Sequence, residues 1–109
     1  MADGFEDRKT GALAKWAHDE ELRFKVMARR NKLLGLWAAG EMGIGGAQSE
    51  AYAKEVIQAD FEEAGDEDVF RKLRKDFDAK KVAMSDHLIR KKMEELLAIA
   101  GDQVVAEKK

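Results

Sequence analysis

The chain has 109 residues, 45% hydrophobic and 39% charged, with no Cys, no Pro and a net charge of −2, which describes one small domain with a short tail. The missing Cys excludes disulfides, thiolate catalysis and thiolate-ligated zinc, and the near-neutral balance argues against a dedicated nucleic-acid binder. No apolar run approaches the roughly 20 residues that span a bilayer, and Met1 to Phe5 lacks the basic and apolar regions of a signal peptide, so a cytoplasmic protein is expected.

Few β-branched residues and an abundance of Ala, Leu, Glu, Lys and Arg predict an all-α fold, a four-helix domain with a flexible N-terminal tail. The tail covers residues 1–18. Gly4 and Gly11 interrupt it, and only Phe5, Leu13 and Trp16 are large and apolar, too little to bury for a segment that stands alone. Leu13, Trp16 and Ala17 nevertheless stand at helical spacing, so the tail is expected to become a helix against a partner.

The four-helix domain is expected over 19–101. The first helix starts at Asp19-Glu20-Glu21, where acids suit the positive end of the helix dipole, and runs to about Met42 before Gly43, Gly45 and Gly46. It is apolar on two sides, with Leu22, Val26, Leu33, Leu36 and Trp37 on one and Phe24, Met27, Leu34 and Ala38 nearly opposite, which predicts a central place in the bundle. Arg23 and Arg30 fill one flank between these faces. Arg29 falls within the first apolar face, so a buried ion pair with an acid of the second or third helix is expected there.

A second helix is expected after Ser49 as N-cap, closing at Gly65, with a narrow stripe of Ala53, Ile57, Phe61 and Ala64 that places it at the edge. Asp66 is read as the cap of a third helix carrying Val69, Phe70, Leu73, Phe77 and Met84, and Ser85 as the cap of a fourth carrying Ile89, Met93, Leu96, Leu97 and Ala100. The fourth helix is expected to fade at Gly101, leaving 102–109 as a fraying end. Charge is segregated along the chain. Arg23, Lys25, Arg29, Arg30 and Lys32 are followed by an acid-rich stretch from Glu50 to Asp68 and then by Arg71, Lys72, Arg74 and Lys75, blocks expected to neutralise one another inside the bundle.

The search for chemistry returns negatives. His18 and His87 lie in different segments with no second His at ligand spacing, so no metal site is expected. The glycines at 40, 43, 45 and 46 lack both the preceding strand and the Lys-Ser or Lys-Thr of a P-loop. Asp66 and Asp68 lack the glycine and closing Glu of an EF-hand, and Thr10, Ser49 and Ser85 sit in no nucleophile motif. No catalytic residue and no cofactor are expected, and the chain does not read as an enzyme.

Two long runs carry a resemblance. His18-Asp19-Glu20-Glu21-Leu22-Arg23-Phe24-Lys25 and Ala28-Arg29-Arg30-Asn31-Lys32-Leu33-Leu34-Gly35-Leu36-Trp37-Ala38-Ala39 resemble the zeta subunit of α-proteobacterial F-type ATP synthases. The likeness continues through Tyr52-Ala53-Lys54-Glu55-Val56, Ala59 to Val69 and Ser85-Asp86-His87. It implies an inhibitor of ATP hydrolysis, bound through the α, β and γ subunits of the catalytic head and peripheral to the inner membrane; the free chain is expected to be a monomer. An N-terminal segment would insert as a helix at a catalytic α/β interface near the rotor, while the body docks outside. The family's tail pattern is matched at Phe5, Asp7, Arg8, Lys15, Trp16, Ala17 and His18, with Leu13 as a further apolar contact. It is departed from at Lys9, where an acid is usual, and at Gly11-Ala12, where an Ala-Phe pair is usual. Arg23, Arg29 and Arg30 are candidates for docking or for structural pairing. Two other readings stand beside this one: a basic helical module binding nucleic acid, and a helical domain sensing a purine nucleotide.

Overall fold

A computed structural model describes residues 16–60 and 66–108, and among them the chain is all-α. Four helices follow one another: α1 (Glu20–Glu41), α2 (Gly46–Ala59), α3 (Glu67–Ala79) and α4 (Asp86–Lys108). The start of α1 is fixed as its residues predict, with the Asp19 carboxylate accepting from the Leu22 N–H at 3.0 Å and Glu20 and Glu21 in the first turn. Its end is a Schellman turn. The N–H of Ile44 donates to the Ala39 carbonyl and that of Gly43 to the Gly40 carbonyl, and Gly43 stands at φ 76°, a conformation natural to glycine.

Three predicted boundaries move. Helix α2 ends at Ala59 rather than closing at Gly65, and Phe61, Ala64 and Gly65 lie outside the described residues. Helix α2 begins at Gly46, with Gly45 in the N-cap position, so Ser49 already lies inside the helix; its hydroxyl donates back to the Gly46 carbonyl at 2.7 Å instead of capping. Helix α4 does begin after Ser85, whose Oγ accepts from the Leu88 N–H, but it runs through Gly101 to Lys108. The expected fraying end is thus helical over 102–108, with Val104 buried and Gln103 and Glu107 both bonded to Arg29. Asp66 stands at the N-cap of α3, yet its carboxylate does not cap; it is turned to Arg30.

Helix α1 is central, as expected, packing along both α2 and α4, while α3 bridges α2 and α4. The approach to α2 is close because Gly35 has no side chain: a Cβ there would lie 2.6 Å from the Cα of Ala53. The main core gathers Leu34 and Ala38 of α1, Tyr52 and Val56 of α2, Val69, Leu73 and Phe77 of α3, and Ile89 and Met93 of α4. Trp37 packs edge-on to Phe77, ring centroids 5.7 Å apart. Along α2 the buried stripe is Tyr52, Ala53, Val56 and Ala59, broader than predicted, and Ile57 is half-buried.

The buried arginine is Arg30. It is fully inaccessible, donates Nε to the Asn31 side chain at 2.7 Å and Nη2 to Asp66 at 2.9 Å, and Asn31 in turn donates to Asp60 at 3.0 Å. This seam ties the C-terminus of α2 and the N-cap of α3 to one point on α1. Arg29 is 28% exposed and pairs with Glu107 of α4 at 2.8 Å, so the expected partner on the second or third helix is corrected to the fourth.

Candidate protein-interaction site

Phe5, Asp7, Arg8, Leu13 and Lys15 lie outside the described residues. What the structure supplies is the point where the segment bearing them joins the body. Trp16 and Ala17 are helical, His18 is an exposed turn residue, and Asp19 opens α1. The Asp19 N–H donates to the Trp16 carbonyl at 3.1 Å and Arg23 Nη1 to the Ala17 carbonyl at 2.8 Å, so the junction is closed by two bonds from α1.

Trp16 is 5% exposed and belongs to a second core cluster with Leu22, Val26, Ala100 and Val104. It occupies a notch that Gly101 leaves open in α4, where a Cβ would fall 2.6 Å from the indole Nε1. The residue that reads from sequence as part of a tail is therefore a core residue of the body. Gly101, which reads as a helix terminator, is the position that admits it. Together they explain why α4 continues beyond its expected end: the far turns have Trp16 and Arg29 to pack and bond against.

The basic blocks predicted by charge segregation are largely tied to local acids. Lys72 bridges Glu55 and Asp76 at 3.0 Å each, Arg74 reaches Asp78 and Asp86, and Arg90 holds Glu67 while stacking 3.9 Å over the Phe70 ring. An open cavity of about 600 Å³ beside α3 is lined by Arg71, Lys72, Arg74 and Lys75, but also by Asp68 and Asp76. That mixture offers a polyanion no uniform positive surface.

Two buried-side interactions on α2 and α3 fix the charge state of the groups that make them. Burial, and a hydrogen bond to Asp76 at 2.7 Å, push the Tyr52 hydroxyl up and keep it protonated. Burial pulls on Lys72, but its bonds to Glu55 and Asp76 prevail and hold its ammonium charged. Among the described residues no group of three or more His, Cys, Asp or Glu side chains is placed to hold a metal ion, and His18 and His87 are both exposed. No helix among those residues is long and apolar enough to cross a membrane.

Among the described residues the fold is a small four-helix body whose N-terminal end is held at Trp16. The chain matches the family described as ATPase inhibitor subunit zeta over residues 1–103, and it belongs to that family. A solved solution NMR structure is similar to it, 49% identical, with a TM-score of 0.71, covering 79% of this chain and 98% of that one. No curated protein matches it.

Proposed function

We propose that this chain inhibits ATP hydrolysis by an F-type ATP synthase. In this reading residues 1–15 enter the catalytic head as a helix at an α/β interface beside the γ rotor, and the four-helix body holds that segment in place. Phe5 and Leu13 would bury apolar surface there, Asp7, Arg8 and Lys15 would meet polar and charged partners, and Trp16 and His18 would set the exit from the body. The reading makes the protein peripheral to the inner membrane through the synthase.

The observation that carries the proposal, beside the family, is the anchored junction at Trp16. Helix formation is limited by nucleation, and Trp16 and Ala17 are already helical and held to α1 and α4. A helix growing back toward residue 1 extends an existing end rather than starting a new one. The ordering cost of the segment is offset by burial of its apolar residues against the head.

The test is steady-state ATP hydrolysis by the cognate catalytic head with and without the purified full chain. Saturable loss of hydrolysis, with synthesis in inverted membranes less affected, is the expected result. Hydrolysis unchanged at a large excess of the chain contradicts it.

A further inference from the structure

We infer that the last turns of α4 are a positioning element for inhibition: they hold Trp16 seated at Gly101, and that seat fixes the base of the N-terminal segment. This inference rests on the proposed inhibitory reading and deepens it, by giving residues far along the chain a part in inhibition.

Gly101 lies inside a 23-residue helix although glycine is a poor helix former, and residues 102–108 continue beyond it as helix. Among the described residues these turns pack against α1 and Trp16. Ala100 and Val104, one turn apart on α4, are buried together with Leu22 and Val26, one turn apart on α1, and with the indole. Beside this apolar seam Gln103 and Glu107, again one turn apart, both accept from the Arg29 guanidinium at 2.8 Å. The end of α4 is thus laid along the start of α1 by an apolar and a polar row, and Trp16 closes the seam.

The seat is tight. A Cβ at Gly101 would stand 2.6 Å from the indole Nε1 and 3.3 Å from Cδ1, so even the single methyl of alanine closes it. Trp16 is also the residue that follows segment 1–15, and the next carbonyl, that of Ala17, is held by Arg23 at 2.8 Å. With the indole seated, the base of the segment has one position relative to the body and a helical turn to extend. With the indole released, the segment hangs from the start of α1 and loses both. A segment offered from a fixed base meets its site at a higher effective concentration than one on a loose tether. Gly101, Gln103, Glu107 and Arg29 act here through Trp16 and need touch nothing on the head, which makes them positioning residues.

The test is a titration of ATP hydrolysis by the cognate head with Gly101→Ala, Trp16→Ala, Trp16→Phe and the double variant Trp16→Ala/Gly101→Ala, each also followed by thermal melting and by competition with the parent chain for the head. Gly101→Ala and Trp16→Ala should each raise the concentration for half-inhibition roughly tenfold or more, while competing at least as well as the chain lacking residues 1–15. Trp16→Phe, which keeps an aromatic ring for the notch, should recover part of the loss. The double variant should stay within about twofold of Trp16→Ala, because both changes remove one contact. Gln103→Ala/Glu107→Ala should weaken inhibition in the parent chain and add nothing after Trp16→Ala. Gly35→Ala, which loosens the opposite side of α1, should lower the melting temperature yet leave half-inhibition within about twofold, separating position from stability. Full inhibition by Gly101→Ala, or by a folded Trp16→Ala chain, overturns the positioning role and leaves the inhibitory reading standing. Additive losses in the double variant, or an equal loss in Gly35→Ala, overturn it as well. A parent chain that does not inhibit overturns both.

Discussion

Two neighbouring arginines on α1 illustrate how little separates a structural residue from a surface one. Arg30 is inaccessible and donates to both Asn31 and Asp66, so Arg30→Ala removes packed side-chain volume and leaves the buried Asn31 oxygen without its donor. Asp66 is 43% exposed and can recover solvent, which places the expected cost at about 3 kcal/mol, toward the lower end for a broken buried pair. Arg29→Ala breaks a partly exposed pair and should cost about 1 kcal/mol or less. Denaturant melts of the two variants, fitted with a common slope, separate these values.

Asp60 gives the same seam a pH dependence. Burial raises its pKa; the Asn31 hydrogen bond and the charge of Arg30 oppose that, while Asp68 and Asp66 add to it. A carboxyl whose folded pKa lies above its unfolded one is penalised when ionised, so it costs stability at neutral pH. The penalty is relieved as pH falls through the folded pKa. Asp60→Asn keeps an acceptor for Asn31 and removes the charge. It should raise the melting temperature at pH 7, and the gain should disappear near pH 4.

Lys81 is a residue out of place in a different sense. It stands at φ 60° in the turn that ends α3, where the Val82 N–H donates to the Phe77 carbonyl and the Lys81 N–H to that of Asp78. The geometry is that of the Gly43 turn, with a side chain where glycine is the natural occupant. Relief of the left-handed strain, less the entropy that glycine adds to the unfolded chain, should make Lys81→Gly more stable by about 0.5–1 kcal/mol. For a domain of this size the melting temperature should rise by roughly 2–8 °C.

At the scale of elements, much of the fold is legible because the signals are local. Helix α1 starts at the expected acids and Ser85 caps where it is expected to, and the stripes of α3 and α4 point inward as their periodicity predicts, except that Met84 lies beyond the end of α3. What fails to show is what depends on a neighbouring element. The buried row of α1 is Leu22, Val26, Arg30, Leu34, Ala38, a succession of four-residue steps that drifts around the helix. A stripe fixed at 100° per residue therefore selects Arg29, one position away from the arginine that is buried. Ser49 has the chemistry of a cap, but the turn through Gly43 and Gly45 starts the helix a turn earlier. Gly101 has the chemistry of a terminator, and only the indole lying against it shows why the helix continues.

Gly35 and Gly101, both inside helices, make opposite predictions for the same substitution, although alanine has the higher helix propensity by about 1 kcal/mol at either site. At Gly35 the obstacle is backbone, the Ala53 Cα at 2.6 Å, so α1 and α2 must separate; Gly35→Ala should destabilise by about 2 kcal/mol despite the propensity gain. At Gly101 the obstacle is the Trp16 side chain, close to the N-terminal edge of the body. Gly101→Ala should expel the indole rather than unfold the domain. In a Trp37→Phe background the tryptophan emission should shift to the red while the helical circular dichroism is retained.

For the whole molecule, the working division falls before Trp16 rather than after His18. A truncation that removes Trp16 strips the second core of its largest member and exposes Leu22, Val26, Ala100 and Val104, so it confounds loss of an effector with loss of stability. Removing residues 1–15 keeps every described member of both clusters and the two hydrogen bonds described at the Trp16 junction. In the full chain, if residues 1–15 insert as a helix as proposed, Gly11→Ala removes a helix penalty of up to about 1 kcal/mol and should tighten inhibition up to several-fold, which a titration of hydrolysis against each variant would read.

The most direct test of the account is hydrolysis by the cognate catalytic head in the presence of the chain lacking residues 1–15, with its binding to the head followed in parallel. The account predicts a folded, cooperatively melting protein that still binds the head, competes with the full chain and no longer inhibits. Full inhibition by the truncated protein would contradict it, because the body alone would then be the effector.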